Sequence, residues 1–319
     1  KLDFYSKTSL KSYNLNESMR YQLGMLDSLD AFTRVHSENV ANLTCRLCEY
    51  MKLNKAFTVY CTICAYLHDI GKMFIPPAIL QKTSALTDEE FEIMKKHTTL
   101  GYQMCMDDIK LRPYAAGPIY HHEALNGTGY PRGLTKKDIP LEGQIIRVAD
   151  EFDAIASKRQ YKSHIGVSDT LKMLVADAQA GKINKKALNC LFKVIIDDTN
   201  YEISGIFDYT KYLSSQIKRL EKIDELITKS EKTKSESKKE YIRTSAKYLF
   251  ENGETFENYK NVLEEYKSAY AKRKEKINEL FNEIKMWEKK EQLDNVDVVI
   301  ATPPCQGMSV ANLKKNNEM

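Results

Sequence analysis

The 319-residue chain has no apolar run near the ~18–20 residues that cross a bilayer. No secretory signal opens it. A membrane span is therefore not expected. Neither sign of charge dominates: 48 Lys and Arg stand against 44 Asp and Glu, a net +4. That balance excludes binding of nucleic acid by bulk charge and leaves basic residues to act locally. The seven cysteines are an odd number, which argues against a disulfide framework and for a reducing, cytoplasmic setting. Cys45/Cys48 and Cys61/Cys64 have the spacing of zinc pairs, but no turn residues separate them. In such apolar helical text cysteine is expected as a small buried hydrophobe. The alternation of a half-buried strand is missing from residues 1–197, and proline is missing from 198–292. The chain opens on Lys1 rather than Met, so it is expected to be a piece of a longer protein.

Helical periodicity fills the first 197 residues. Met19, Leu23, Leu26 and Leu29 recur at spacings of three and four, and Val35, Val40, Leu43 and Leu47 continue in a second helix. Residues 57–69 are apolar nearly throughout, as in a buried helix, which Gly71 is expected to end. Thr87 and Glu90 form a capping-box signature, with a helix expected from there to about His97. Residues 124–143 read as a long ordered loop, followed by helices at 143–157, 167–180 and 184–196. From 198 to 292 Lys and Glu dominate. Leu213, Ile217, Leu220 and Ile227 lie near heptad spacing, as do Ile277, Leu280, Ile284 and Trp287. This predicts two or three long helices in a hairpin or coiled coil, through which the protein could form a homodimer. The run 296–301 is apolar and β-like.

Five of the six histidines fall in one ordered series: His36, His68-Asp69, His97 and His121-His122, with Asp150 beyond. Imidazoles and carboxylates together are a ligand set for Zn, Mn and Fe. Asp69 can bridge two ions with its two oxygens. Asp150 sits in apolar helical text, where a carboxylate needs a charged partner. Two ions about 3.5–4 Å apart can lower the pKa of a bridging water and clamp a phosphate. The set therefore suits phosphodiester hydrolysis, with Asp69 and Lys72 as catalytic candidates. Lys72 comes three residues after Asp69 and can neutralise charge or protonate a leaving oxygen. Arg159 and Lys162 can hold a second phosphate. His164 reads as a surface residue.

The motifs HSENV (36–40), HDIGK (68–72), HHEALNGTGYP (121–131) and RVADEFDAI (147–155) resemble the HD-GYP branch of the HD phosphohydrolases. So do residues 75–97 and RQYK at 159–162. The resemblance covers about residues 14–197. It implies an all-α HD-type bundle and two divalent ions, usually Fe or Mn. The ligands would be His36, His68, Asp69, His97, His121, His122 and Asp150, with Lys72 on the phosphate. It also implies hydrolysis of a cyclic dinucleotide, typically cyclic di-GMP, to pGpG and GMP. Some members have a glutamate where this chain has Phe32, so two ions rather than three are expected. The usual Arg-Pro-Tyr-Arg is here Arg159-Gln160-Tyr161-Lys162, which puts the exact nucleotide in question. The Gly129-Tyr130-Pro131 loop is intact; its glycine is expected to supply a positive φ and its proline stiffness. In the family this loop is tied to substrate access and to contact with cyclase domains.

Residues 296–312 resemble the Pro-Cys-Gln motif of DNA cytosine-5 methyltransferases, with Cys305 in the nucleophile's position. No S-adenosylmethionine loop precedes the motif, so DNA is not an expected partner of this fragment. The expected organisation is a catalytic unit at 1–197, charged helices at 198–292 and a methyltransferase-like fragment at 293–319. The expected function is metal-dependent hydrolysis of cyclic di-GMP by a water activated between two ions. The alternatives are an HD phosphohydrolase for another nucleotide, a non-catalytic dinucleotide sensor, and the regulatory part of a DNA cytosine methyltransferase.

Overall fold

A computed structural model describes residues 17–156 and 165–290. Arg159, Lys162, His164, the run 296–301 and Cys305 lie outside the described residues. Within them the chain is all-α, with a single isolated bridge between Asn126 and Thr135. The helices are α1 (Glu17–Gly24), α2 (Ala31–Tyr50), α3 (Lys55–Leu67), α4 (Pro77–Leu80), α5 (Asp88–Asp107) and α6 (Ala116–Tyr120). They continue as α7 (Leu141–Ala156), α8 (Val167–Gln179), α9 (Lys185–Glu231), α10 (Glu236–Lys247) and α11 (Tyr259–Lys290).

Side-chain caps set several of the starts by satisfying amides that have no partner within the helix. Asp30 accepts from the Phe32 and Thr33 amides, Asn54 from Phe57, and Asn184 from Ala187. Thr87 and Glu90 form the expected capping box. The helix they open does not stop near His97 but runs ten residues further, to Asp107. Its buried face continues through Thr98, Gly101 and Cys105, so nothing favours a stop earlier.

The main core joins α2, α3, α7, α8 and the first part of α9 through side chains such as Leu43, Leu47, Cys64, Ile146, Phe152, Leu174 and Phe192. Cys45, Cys48, Cys61 and Cys64 are fully buried, as expected of small hydrophobes. No cysteine belongs to a metal-binding group among the described residues.

The expected helix at 184–196 does not end there. As α9 it continues for 47 residues, about 70 Å. No proline interrupts it, and an inner face persists through Ile203, Thr210, Leu213, Leu220 and Ile223. It therefore passes unbroken through the change of composition near residue 197. A buried bidentate pair, Arg46 to Asp198 at 2.6 and 2.7 Å, ties α9 to α2 at that point. The far end of α9 packs with α10 and the start of α11 around Leu220, Ile223, Ala246, Tyr259 and Leu263. From there α11 returns along α9. Its Ile277, Leu280, Ile284 and Trp287 enter the main core, and the Trp287 indole donates to Ser168 Oγ on α8 at 3.1 Å. The charged region is thus a helical hairpin whose end docks on the unit it left. No helix among the described residues is long and apolar enough to cross a membrane.

Candidate metal centre

Five segments bring the histidine series together. The second turn of α2 supplies His36, the turn that follows α3 supplies His68 and Asp69, and α5 supplies His97. The end of α6 leads into His121 and His122, and α7 supplies Asp150. Donor atoms of three groups lie within 4.8 Å of one another: His36/His68/Asp69, His68/His121/Asp150 and His97/His121/His122. All seven sequence-expected ligands therefore converge. Asp69 is central. Its Oδ2 lies 3.3 Å from His68 Nε2 and 3.7 Å from His36 Nε2. Its Oδ1 lies 3.4 Å from His97 Nε2 and 3.8 Å from His121 Nε2. One carboxylate thus stands between two imidazole pairs. Lys72 Nζ reaches Asp69 Oδ2 at 2.5 Å. Asp150 Oδ1 lies 3.0 Å from His36 Nε2, and its Oδ2 lies 3.8 Å from His122 Nδ1.

Local helix geometry aims three of the rings. The Nδ1 atoms of His68, His97 and His121 meet the main-chain oxygens of Ala65, Met94 and Gly117 at 2.6, 2.6 and 2.9 Å. A carbonyl only accepts, so each Nδ1 carries a hydrogen and each Nε2 is left to face the cluster. Burial pushes His97 down to about 4 and His122 to about 3, and holds His121 well below its ordinary value. These rings are therefore neutral near pH 7. His97 Nε2 and His121 Nε2 then point lone pairs at each other across 3.2 Å. His68 Nε2 and Asp69 Oδ1 are buried with no hydrogen-bond partner. Facing lone pairs and orphaned buried acceptors are costly without a cation between them. The donor set fits divalent ions.

Burial also opposes charge on Asp69 and Asp150, yet both carboxyls are held well below the usual range. Lys72 and His68 do this for Asp69; His36, His68 and His122 do it for Asp150. At His36 burial works against protonation, but the bonds to Asp150 and Asp153 outweigh it and raise the value to about 9.

Glycine spacing permits the convergence. A Cβ at Gly71 would lie 2.0 Å from the His97 carbonyl oxygen and 2.5 Å from the Gly101 amide nitrogen. Gly71 therefore lets α5 cross close to the HDIGK turn, whereas α3 has already ended at Leu67. The expectation for Gly129 is corrected in the same way. The positive-φ glycines of the loop are Gly127 and Gly133. Gly129 is needed because a Cβ there would lie 2.1 Å from the Ala124 amide nitrogen. Next to it, the Tyr130 ring stacks on His122 at 4.6 Å.

Three residues bearing on the site were not singled out in the sequence. Buried Glu123 accepts from the Arg132 and Leu134 amides at 2.7 and 2.8 Å, which holds the loop in place. Arg147 donates to the His122 carbonyl oxygen at 2.8 Å. Asp153 Oδ2 meets His36 Nδ1 at 2.6 Å. The signal for Asp153 was a second carboxylate one turn after Asp150 in apolar helical text.

The HD domain family matches residues 21–186. A cyclic di-GMP phosphodiesterase of Thermotoga maritima is 41% identical over 170 residues, covering 51% of this chain and 46% of the relative. Cyclic di-GMP phosphodiesterase PdeB of Borreliella burgdorferi is 37% identical over 161 residues, covering 50% and 42%. A 3'3'-cGAMP-specific phosphodiesterase of Vibrio cholerae is 32% identical over 173 residues, covering 52% and 38%. The match spans less than half the length of each of these relatives.

Proposed function

The chain belongs to the HD-domain family, in its GYP-bearing branch, and from that membership we propose that it is a metal-dependent phosphodiesterase. Its substrate in this reading is cyclic di-GMP, opened to pGpG and carried towards GMP. The observation that carries the proposal is the convergence of five histidines and two aspartates with orphaned acceptors at the centre. Membership implies divalent metal. Two ions, iron or manganese, suit the division of Asp69 between two imidazole pairs. When bound, the ions supply an activated water and a clamp on phosphate oxygens.

The protein's own groups do the rest. His68, His97 and His121 hold their rings in one orientation through main-chain acceptors. Lys72, 19% exposed at the side chain, offers a cation to an incoming phosphate and a proton to the leaving oxygen. Arg159 and Lys162 are proposed to hold the second phosphate of the ring. Residues 1–197 would form the catalytic unit, 198–292 the helical extension and 293–319 a methyltransferase-like fragment. A cytoplasmic setting is part of this reading, and the buried free thiols of the described residues suit it. A homodimer would use faces of the hairpin other than its heptad positions, which are spent inside the chain. A cyclase domain would meet the loop at Gly129-Tyr130-Pro131.

The relatives divide between cyclic di-GMP and 3'3'-cGAMP, so both belong in the test. Anaerobically prepared Fe- or Mn-loaded protein is incubated with each dinucleotide, and products are separated by chromatography beside Asp69→Ala. Linear pGpG or GMP from cyclic di-GMP, absent with Asp69→Ala, is the expected result. Turnover of 3'3'-cGAMP alone would move the substrate and keep the reaction. No turnover of either by metal-loaded protein would overturn the phosphodiesterase reading.

A further inference from the structure

We propose that Asp153 is the positioning residue that makes one half of the metal centre tighter than the other, by holding His36 through its outward nitrogen. This rests on the reading of the cluster as a metal centre. The contrast with the other rings carries it. His68, His97 and His121 each lean their Nδ1 on a main-chain oxygen three or four residues back. Each of those acceptors belongs to the chain segment that carries the ring itself. His36 leans instead on a carboxylate from another helix, at 2.6 Å. That helix, α7, also presents Asp150 one turn earlier, 3.0 Å from the opposite ring nitrogen. Two carboxylates spaced i and i+3 on α7 thus grip both nitrogens of one imidazole on α2.

The second carboxylate is itself held. Asn39, one turn after His36, donates its Nδ2 to Asp153 Oδ1 at 3.2 Å. Asp153 is 1% exposed, so water does not compete for it. A carboxylate is a stronger acceptor than a main-chain carbonyl, and it draws the Nδ1 hydrogen outward. When a bound cation displaces the Nε2 proton that now faces Asp150, electron density rises at Nε2 and the ring keeps the tautomer that offers that atom to the metal. His36 is the one ligand that α2 contributes. The donor group it serves, His36/His68/Asp69, shares no residue with His97/His121/His122, although His68/His121/Asp150 lies between them. The effect of Asp153 therefore falls more strongly on the first group than on the second.

The test is a titration of the metal-free 319-residue protein with Mn(II), following free Mn(II) by electron paramagnetic resonance. Asp153→Asn keeps the shape and an acceptor while removing the charge. The expected result is that one Mn(II) equivalent weakens about 10–100-fold and the other changes less than about threefold. Asn39→Ala, which removes one hydrogen bond to the carboxylate without removing the carboxylate, should weaken the same equivalent by a smaller factor. Thermal melting of the metal-free variants accompanies the titrations, and Asn39→Ala decides the matter if Asp153→Asn does not fold. Unchanged affinities in both variants would overturn the proposal. So would equal weakening of both equivalents with a lowered metal-free melting point, because that is how a merely structural carboxylate behaves. Wild-type protein that takes up no Mn(II) at all would instead remove the metal reading beneath it.

Discussion

At the scale of single residues, the centre depends as much on what is missing as on what binds. Gly71 has no side chain because the His97 carbonyl oxygen occupies the space a Cβ would need. Gly71→Ala must push α5 away, so His97 should leave the cluster. The expected outcome is loss of bound Mn(II) by elemental analysis while helical circular dichroism persists. Lys72 acts differently. It donates to Asp69 and is not itself a member of the donor groups. Lys72→Met should retain the metal and lower kcat about 10²–10³-fold, the usual cost of one charge-stabilising donor. A variant that keeps full kcat would remove Lys72 from the chemistry. The ligands themselves were legible in the sequence, because histidine and aspartate in ordered pairs have few other reasons to recur. Asp153 and Glu123 were not. Their carboxylates act on groups 117 and nine residues away along the chain, and only folding shows the partner.

At the scale of elements, helix ends were legible where a cap marks them, as at Thr87, and illegible where the stop depends on a partner. The C-terminus of α9 is the clearest case. Composition changes near residue 197, but a helix responds to breakers and buried faces, and neither changes there. The heptad-like residues of α11 were legible as an apolar stripe. Their target, the core of α7, α8 and α9, was not. Trp287 is 1% exposed within it. Trp287→Ala should cost about 3–5 kcal/mol by chemical denaturation, and a loss under about 1 kcal/mol would show that α11 does not dock there. The tip of the hairpin carries its own pH dependence. Arg219 bonds Glu254 at 2.5 and 2.6 Å and holds its carboxyl below the ordinary 4.5. A lowered folded-state pKa means stability that is present above about 4.5 and is lost as pH falls below it. Acid unfolding followed at the tip should therefore steepen below pH 4.5. Glu254→Gln should flatten it, and an unchanged slope would rule this carboxylate out.

For the whole molecule, metal and fold are linked. Ions that bind the folded cluster and not the unfolded chain add RT ln(1 + [L]/Kd), about 2.7 kcal/mol at a hundredfold excess over Kd. Chelation should lower the main melting transition by a few degrees, and restored Mn(II) should return it. Equal melting with and without metal would contradict the linkage. The unbroken passage of α9 from core to tip has one further consequence, for how such a chain can change its length. Each inserted residue turns everything beyond it by about 100° and lengthens the arm by about 1.5 Å. An insertion in α9 alone would rotate Leu220 and Ile223 away from Tyr259 and Leu263. Growth or shortening is tolerated only when both arms gain or lose matching pairs of turns, about seven residues each. The hairpin is thus free to vary in reach but only in coarse, paired steps.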